Sequence, residues 1–288
     1  MESVLGPNLA GTWYPADAQD LRETIRRLIE EAGPADRNAP PVRALIEPHA
    51  GYMYSGPVAA AGFRLVDRRR FRRVILAGPS HHLYFKGVAV PRANGYRTPL
   101  GTVPLDRDRM DAWTGVSGFR FTDQPFEPEH CLEIEIPFLQ TMLEPGWKLV
   151  PLLVGNGLEP GTEEEVIGAI RTLADPETLL VASSDFTHYG ADFRYLPFQE
   201  QVQDRLEELD LGAVREITDG DRDRFRRYVE RTGATICGRH AIDLLLGILP
   251  TGGRWELAAY DTSGRITGDW AHTVSYAALA FRDGGADG

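Results

Sequence analysis

Seven histidines and two cysteines are the side chains of this sequence best suited to hold a metal or to move a proton near neutral pH. Three of the histidine clusters share a setting. His49 follows the apolar run Val42-Arg43-Ala44-Leu45-Ile46 and the breaker pair Glu47-Pro48. Ser80-His81-His82 follows Arg73-Val74-Ile75-Leu76-Ala77-Gly78 and Pro79, and Ser184-Asp185, with His188 close behind, follows Thr178 to Ser183. Short apolar runs bounded by prolines and polar residues read as buried strands, and proline stops the ladder where it stands. Three strands therefore end in polar clusters. If they are parallel neighbours, the clusters converge on the carboxyl edge of a sheet, where open α/β folds bind their ligands. Cys237, flanked by Gly238 at an expected helix start, would join them as a thiol whose ionisation the helix dipole favours. Two or three imidazoles with a carboxylate or thiolate suit a transition metal better than calcium or magnesium.

Each feature also has a plainer explanation. Asp185 could cap a following helix. Cys237 could be an inert buried thiol, as Cys131 is expected to be, and His272 reads as a surface residue. His130 and Glu133, three apart, could face a site together or lie on an exposed helix face. The coincidence of three strand-end clusters is what favours a site.

The elements that must position these groups follow from periodicity. Leu21, Ile25, Leu28 and Ile29 mark an amphipathic helix over Asp17–Glu31, stopped by Gly33-Pro34. Further helices are expected over Ala59–Val66, His130–Leu143 (with Pro137 at a kink or in the first turn), Glu163–Leu173, within Phe198–Arg231, and after Gly238 with Ile242, Leu245, Leu246 and Leu249 inward. Strands are expected at Lys148–Val154, Trp255–Tyr260 and Thr273–Phe281, with short strands and turns from Gly87 to Arg120. This alternation predicts an α/β fold: a single domain over residues 1–282, a central mostly parallel or mixed sheet flanked by helices, and a disordered polar tail at 283–288.

Composition narrows the function classes. The net charge of −11 disfavours nucleic acid as a partner, and the basic runs at Arg64–Arg73 and Arg222–Arg227 read as solvated surface. No run reaches the roughly 18 apolar residues of a membrane-spanning helix. The N-terminus lacks the basic and apolar regions of a secretory signal, so a cytoplasmic protein is expected. Two cysteines make no disulfide framework.

Six blocks, in order, resemble the Memo family, whose prokaryotic members are named AmmeMemoRadiSam system protein B. They are Ala10-Gly11-Thr12-Trp13-Tyr14, Pro48-His49-Ala50-Gly51-Tyr52, Gly78-Pro79-Ser80-His81-His82, Tyr96-Arg97-Thr98-Pro99-Leu100, Ser183-Ser184-Asp185-Phe186-Thr187-His188 and Thr235-Ile236-Cys237-Gly238-Arg239-His240. The resemblance implies a fold like that of class III extradiol dioxygenases, with His49, His81 and Cys237 as ligands of one iron or copper ion and no nucleotide cofactor. It implies that His188 is the acid–base residue, with Asp185 orienting it or a water. It puts Trp13 at the pocket mouth, where eukaryotic members, described as phosphotyrosine-peptide binders and as copper or iron redox proteins, carry an aromatic residue. A radical S-adenosylmethionine protein and a small third protein are the implied partners.

These features lead to a metal-dependent oxidoreductase acting on a small molecule or peptide, with Tyr54, His82, Arg239 and His240 as further substrate contacts. Two other readings stand beside it: a binding module for a peptide or protein, using Trp13, Tyr52 and Tyr54, and a zinc hydrolase with the same ligands. Ring-cleaving dioxygenases of this class use two histidines and a carboxylate. A cysteine in the third position keeps their chemistry from being inherited with the fold.

Overall fold

The computed structural model of the chain describes residues 3–36, 38–159, 161–250 and 252–282. The expected tail at 283–288 lies outside the described residues. In chain order, β1 (Val4–Leu5) precedes α1 (Ala18–Glu31), β2 (Val42–Glu47), α2 (Tyr52–Phe63) and β3 (Arg73–Pro79). Then come β4 (Val88–Val90), β5 (Gly95–Thr98), β6 (Gly101–Pro104), α3 (Arg107–Asp111) and β7 (Phe119–Phe121). A 3-10 turn (Glu133–Glu135) leads into α4 (Ile136–Met142), β8 (Lys148–Val154), α5 (Glu163–Arg171), β9 (Thr178–Ser183) and β10 (His188–Gly190). The chain closes with α6 (Val202–Thr218), α7 (Arg222–Thr232), α8 (Arg239–Ile248), β11 (Arg254–Thr262), α9 (Ser263–Thr267) and β12 (His272–Arg282).

The large sheet is mixed. Its order is β10-β12-β2-β9-β3-β8-β4-β7, with β11 paired to β12. At its centre β2, β9, β3 and β8 run parallel, and β12 and β4 join their two sides antiparallel. The central strands are buried almost throughout, as expected for a parallel layer covered on both faces. Because β2, β9 and β3 are consecutive neighbours, the segments after Glu47, Ser183 and Pro79 leave the same edge side by side. Helix α2 packs across β2, β11 and β12, and α8 across β3, β8 and β9. Among the described residues no helix is long and apolar enough to cross a membrane.

Local chemistry explains most boundaries. Asp17 caps α1, its carboxylate accepting from the amides of Gln19 at 2.7 Å and Asp20 at 3.0 Å, while Leu21, Ile25 and Leu28 are buried. Two helices depart from the periodicity reading. α2 starts at Tyr52, ahead of Pro57, and not at Ala59. It is buried on several sides and so carries no single apolar stripe to reveal its extent. Over 130–143 the continuous helix becomes a loop, a 3-10 turn and α4, with Pro137 in the first turn where its missing N–H costs least. The basic run at 222–227 is also less solvated than its composition suggests: Arg222 and Arg226 are tied to Asp243 and Glu163.

Candidate metal centre

His49, His81 and Cys237 come together at the carboxyl edge of the central strands, their donor atoms all within 4.8 Å of one another. His49 leaves β2 and is 2% exposed. Its backbone N–H donates to Asp185 Oδ1 at 2.7 Å, its ring Nδ1 lies 2.9 Å from Ser183 Oγ, and its Nε2 lies 3.2 Å from Cys237 Sγ. His81 leaves β3 on the more open side. Its backbone N–H donates to Glu129 Oε2 at 2.7 Å and its ring Nδ1 meets Glu129 Oε1 at 2.8 Å. A carboxylate at Nδ1 fixes the ring so that Nε2 carries the free lone pair, the usual arrangement behind a metal-binding histidine.

Cys237 is placed by the turn before α8. Gly238 N–H donates to Ser184 Oγ at 3.0 Å, which stitches that turn to the end of β9. Glycine is required there. A Cβ at 238 would lie 2.4 Å from Ser184 Cβ and 2.6 Å from the Ser183 carbonyl oxygen, closer than real atoms approach. Gly238→Ala should therefore push Cys237 off the strand end, at a cost of about 1–3 kcal/mol in denaturant unfolding and with a loss of metal affinity in the same titrations that test the cysteine itself.

The expected ease of ionising Cys237 is not what the structure provides. Burial, and then the neighbouring Asp185 carboxyl, push the thiol well above its ordinary value, and hydrogen bonding at the Asp185 backbone, Ser184 and Gly238 only partly offsets this. The helix dipole loses to desolvation. The thiol is protonated until something positive displaces its proton.

Asp185 caps no helix, because β10 follows it. Its carboxylate instead accepts from the backbone N–H groups of His49 and Ala50, so it holds the ligand-bearing turn, and burial raises it to about 7. His188 is oriented by two carbonyls: its Nδ1 lies 3.0 Å from Phe186 O and 3.1 Å from Thr235 O. Carbonyls only accept, so Nδ1 carries the proton and Nε2 is the basic nitrogen. Burial lowers the His188 pKa, the two carbonyl hydrogen bonds work against this, and His81 adds repulsion.

Two residues outside the strand-end pattern complete the cluster. Glu129, 1% exposed, receives both the His81 contacts and the backbone N–H groups of His130 and Cys131. Burial opposes its charge, but the hydrogen bonds from His81 outweigh this and hold the carboxyl at about 2. The His130 ring stacks on His81 with centroids 4.5 Å apart, its Nδ1 3.2 Å from the same Glu129 oxygen. Nothing in periodicity marks Glu129. Its adjacency to His130 and Cys131 was the available signal. Glu133 points away from the rings: it accepts from Asn8 N–H, Leu9 N–H and Tyr14 Oη and so anchors the N-terminal segment. That anchor sets the Trp13 ring 4.8 Å from His130.

The remaining candidates divide between two clefts. Trp13 and Tyr54 line one of about 700 Å³ with Gly51 and Met53. Arg239 and His240 line another, of about 640 Å³, with Leu158, Phe225 and Asp243. The two groups therefore do not face one shared pocket. His82 is exposed near the His130 ring, at 6.2 Å between centroids. Tyr52 is a packing residue, its hydroxyl donating to Ile134 O. Cys131 is fully buried against Pro79 O, and His272 is at the surface beside Asp192.

The Memo-like protein family model matches residues 6–280. The Protein memo-1 homolog of Caenorhabditis elegans is 34% identical over 245 residues, covering 82% of this chain and 69% of that protein. Protein MEMO1 of Xenopus tropicalis is 36% identical over 246 residues, 82% of this chain and 81% of that protein. Among solved structures, that of an uncharacterized protein from Escherichia coli K12 aligns with a TM-score of 0.47 and 14% identity, over 83% of this chain and 99% of that one. From the extent of the family match and the identity to these relatives, this chain belongs to the Memo family.

Proposed function

We propose that the chain is a metal-dependent redox protein that holds one iron or copper ion with His49, His81 and Cys237. The observation that carries this reading is the convergence of three donors from three separate segments, with a polar partner already at Nδ1 of each imidazole. The donor set fits: two borderline nitrogens and one soft sulfur suit copper or iron and are poor partners for calcium or magnesium. A bound ion would supply one-electron redox chemistry and Lewis acidity. The protein's own groups supply the rest. His188 Nε2 accepts a proton from a substrate, and Asp185 keeps the His49 turn in place. Trp13 and Tyr54 provide an aromatic wall for an extended apolar segment of the substrate, a small molecule or peptide. Action within a complex containing a radical S-adenosylmethionine protein is part of the same proposal.

Anaerobic purification followed by elemental analysis tests it. About one iron or copper per chain is expected, with oxygen uptake on a suitable substrate. Stoichiometric zinc in its place would favour hydrolysis. The cleft beside Trp13 also favours a second reading, peptide binding without turnover. In either case Trp13→Ala should weaken ligand binding by about 2 kcal/mol, as loss of an aromatic anchor does, and leave metal content unchanged. Calorimetry with an aromatic-rich peptide, beside elemental analysis, separates these effects.

A further inference from the structure

Behind His49 lies a set of polar groups that the proposed chemistry does not use. Ser183 Oγ is 2.7 Å from Cys131 O, 2.8 Å from Glu135 Oε1 and 2.9 Å from His49 Nδ1. A serine hydroxyl has one proton to give and two lone pairs to receive with. A backbone carbonyl can only accept, so the single proton goes to Cys131 O. The other two contacts must then be donated to Ser183. We infer that Glu135 is a neutral, buried carboxylic acid that donates to Ser183 and thereby holds His49 in the Nδ1–H tautomer, with Nε2 open towards Cys237. This rests on the metal reading for its purpose, though not for its hydrogen bonds.

The surroundings agree. Glu135 is 1% exposed, and the titratable groups that bear on it or that it bears on, Asp185, Glu47, Tyr52 and Cys131, are all acids, none of them a cation. An anion at 135 would add repulsion to the cost of burial. On the far side of the ring, Cys237 Sγ sits 3.2 Å from His49 Nε2 and 3.5 Å from Asp185 O, so a bare Nε2 gives the protonated thiol a closer acceptor than that carbonyl. The two imidazoles of the site are thus held by opposite means. His81 has an ionised carboxylate at its Nδ1, and His49 has a hydroxyl backed by a neutral acid. Glu135 is a positioning residue: it acts on the ligand through Ser183.

The test uses the full chain without metal and then with Co(II). Nitrogen-15 NMR of the metal-free protein should show His49 protonated at Nδ1 and bare at Nε2. Infrared spectra at neutral pH should contain a protonated-carboxyl band that disappears in Glu135→Gln. Cobalt affinity should fall roughly 10–100-fold in Ser183→Ala and in Glu135→Ala. Glu135→Gln, whose amide can still donate to Ser183, should restore most of it. A bare Nδ1 in the metal-free protein, an ionised Glu135, or a Ser183→Ala variant with wild-type affinity would overturn the inference. If an alanine variant fails to fold, the nitrogen and infrared signatures of the wild type and of Glu135→Gln still decide. A wild type that binds no cobalt while keeping both signatures removes the metal reading and leaves the hydrogen-bond assignment standing.

Discussion

Replacing Cys237 with serine should lower the affinity for Cu(I) by roughly 100-fold or more, because a hard hydroxyl is a poor substitute for sulfur. The fold should survive the change. The turn is held by the Gly238–Ser184 bond and by the close approach of Gly238 to β9, not by the cysteine side chain. The same variant should alter the response to pH. The Cys237 thiol is held protonated by burial and by Asp185, so it must release a proton when it binds an ion. Wild-type log K should therefore rise by about one per pH unit between roughly pH 7 and 9, where ordinary imidazoles are already neutral. In the serine variant that slope should flatten. Competition against a chromophoric chelator reads both quantities. Alkylation is the weaker assay, since a protonated thiol reacts slowly even without metal. Cys237→Asp would create two histidines and a carboxylate, and should shift preference towards Fe(II). If the serine variant keeps both the affinity and the slope of the wild type, the sulfur is a bystander.

The strand ends were legible because buried parallel strands are continuous apolar runs, and prolines mark where two of them stop. β3, β8 and β9 needed no partner information, and β2 extends only one residue beyond its apolar run, to Glu47. The convergence of His49, Asp185 and His81 followed only on the condition that these strands are parallel neighbours, and the sheet order supplies that condition. Three things were not readable, each for its own reason. Helix α2 has no stripe, because it is covered on several sides. Glu129 is a loop carboxylate whose burial depends on rings contributed by other segments, so in sequence it looks like any surface acid. The ionisation of Cys237 was misjudged because a helix start can be seen in a sequence, whereas the desolvation that overrides it cannot. Glu135 belongs with Glu129. Their opposite charge states are set by what surrounds them, donors around Glu129 and carboxyls around Glu135.

Glu129→Gln should cost the fold about 3 kcal/mol. The hydrogen bonds to that carboxyl come from the ring and backbone of His81 and the backbone N–H groups of His130 and Cys131, with the His130 ring Nδ1 3.2 Å away. Whichever way the amide is turned, its NH2 meets another N–H, and buried donors left unpaired cost about 1–3 kcal/mol each. The pH dependence identifies the charge itself. Glu129 is held at about 2 against an ordinary 4.5, so between those values the unfolded chain binds the extra proton. Its contribution is then complete above pH 4.5 and declines as pH falls towards 2. Asp185 works in the opposite sense. Raised from 3.8 to about 7, it makes the folded state bind the extra proton over that range, so its share of stability falls as pH rises. The wild-type curve alone mixes the two, but subtracting the Glu129→Gln curve cancels Asp185 and leaves Glu129. Urea unfolding of both proteins should show a gap that narrows by roughly 2 kcal/mol between about pH 6 and pH 3. Metal affinity should drop roughly 10–100-fold with the loss of the group that orients His81. A gap that stays constant across this range would mean that Glu129 serves the site by shape, with its charge playing no part.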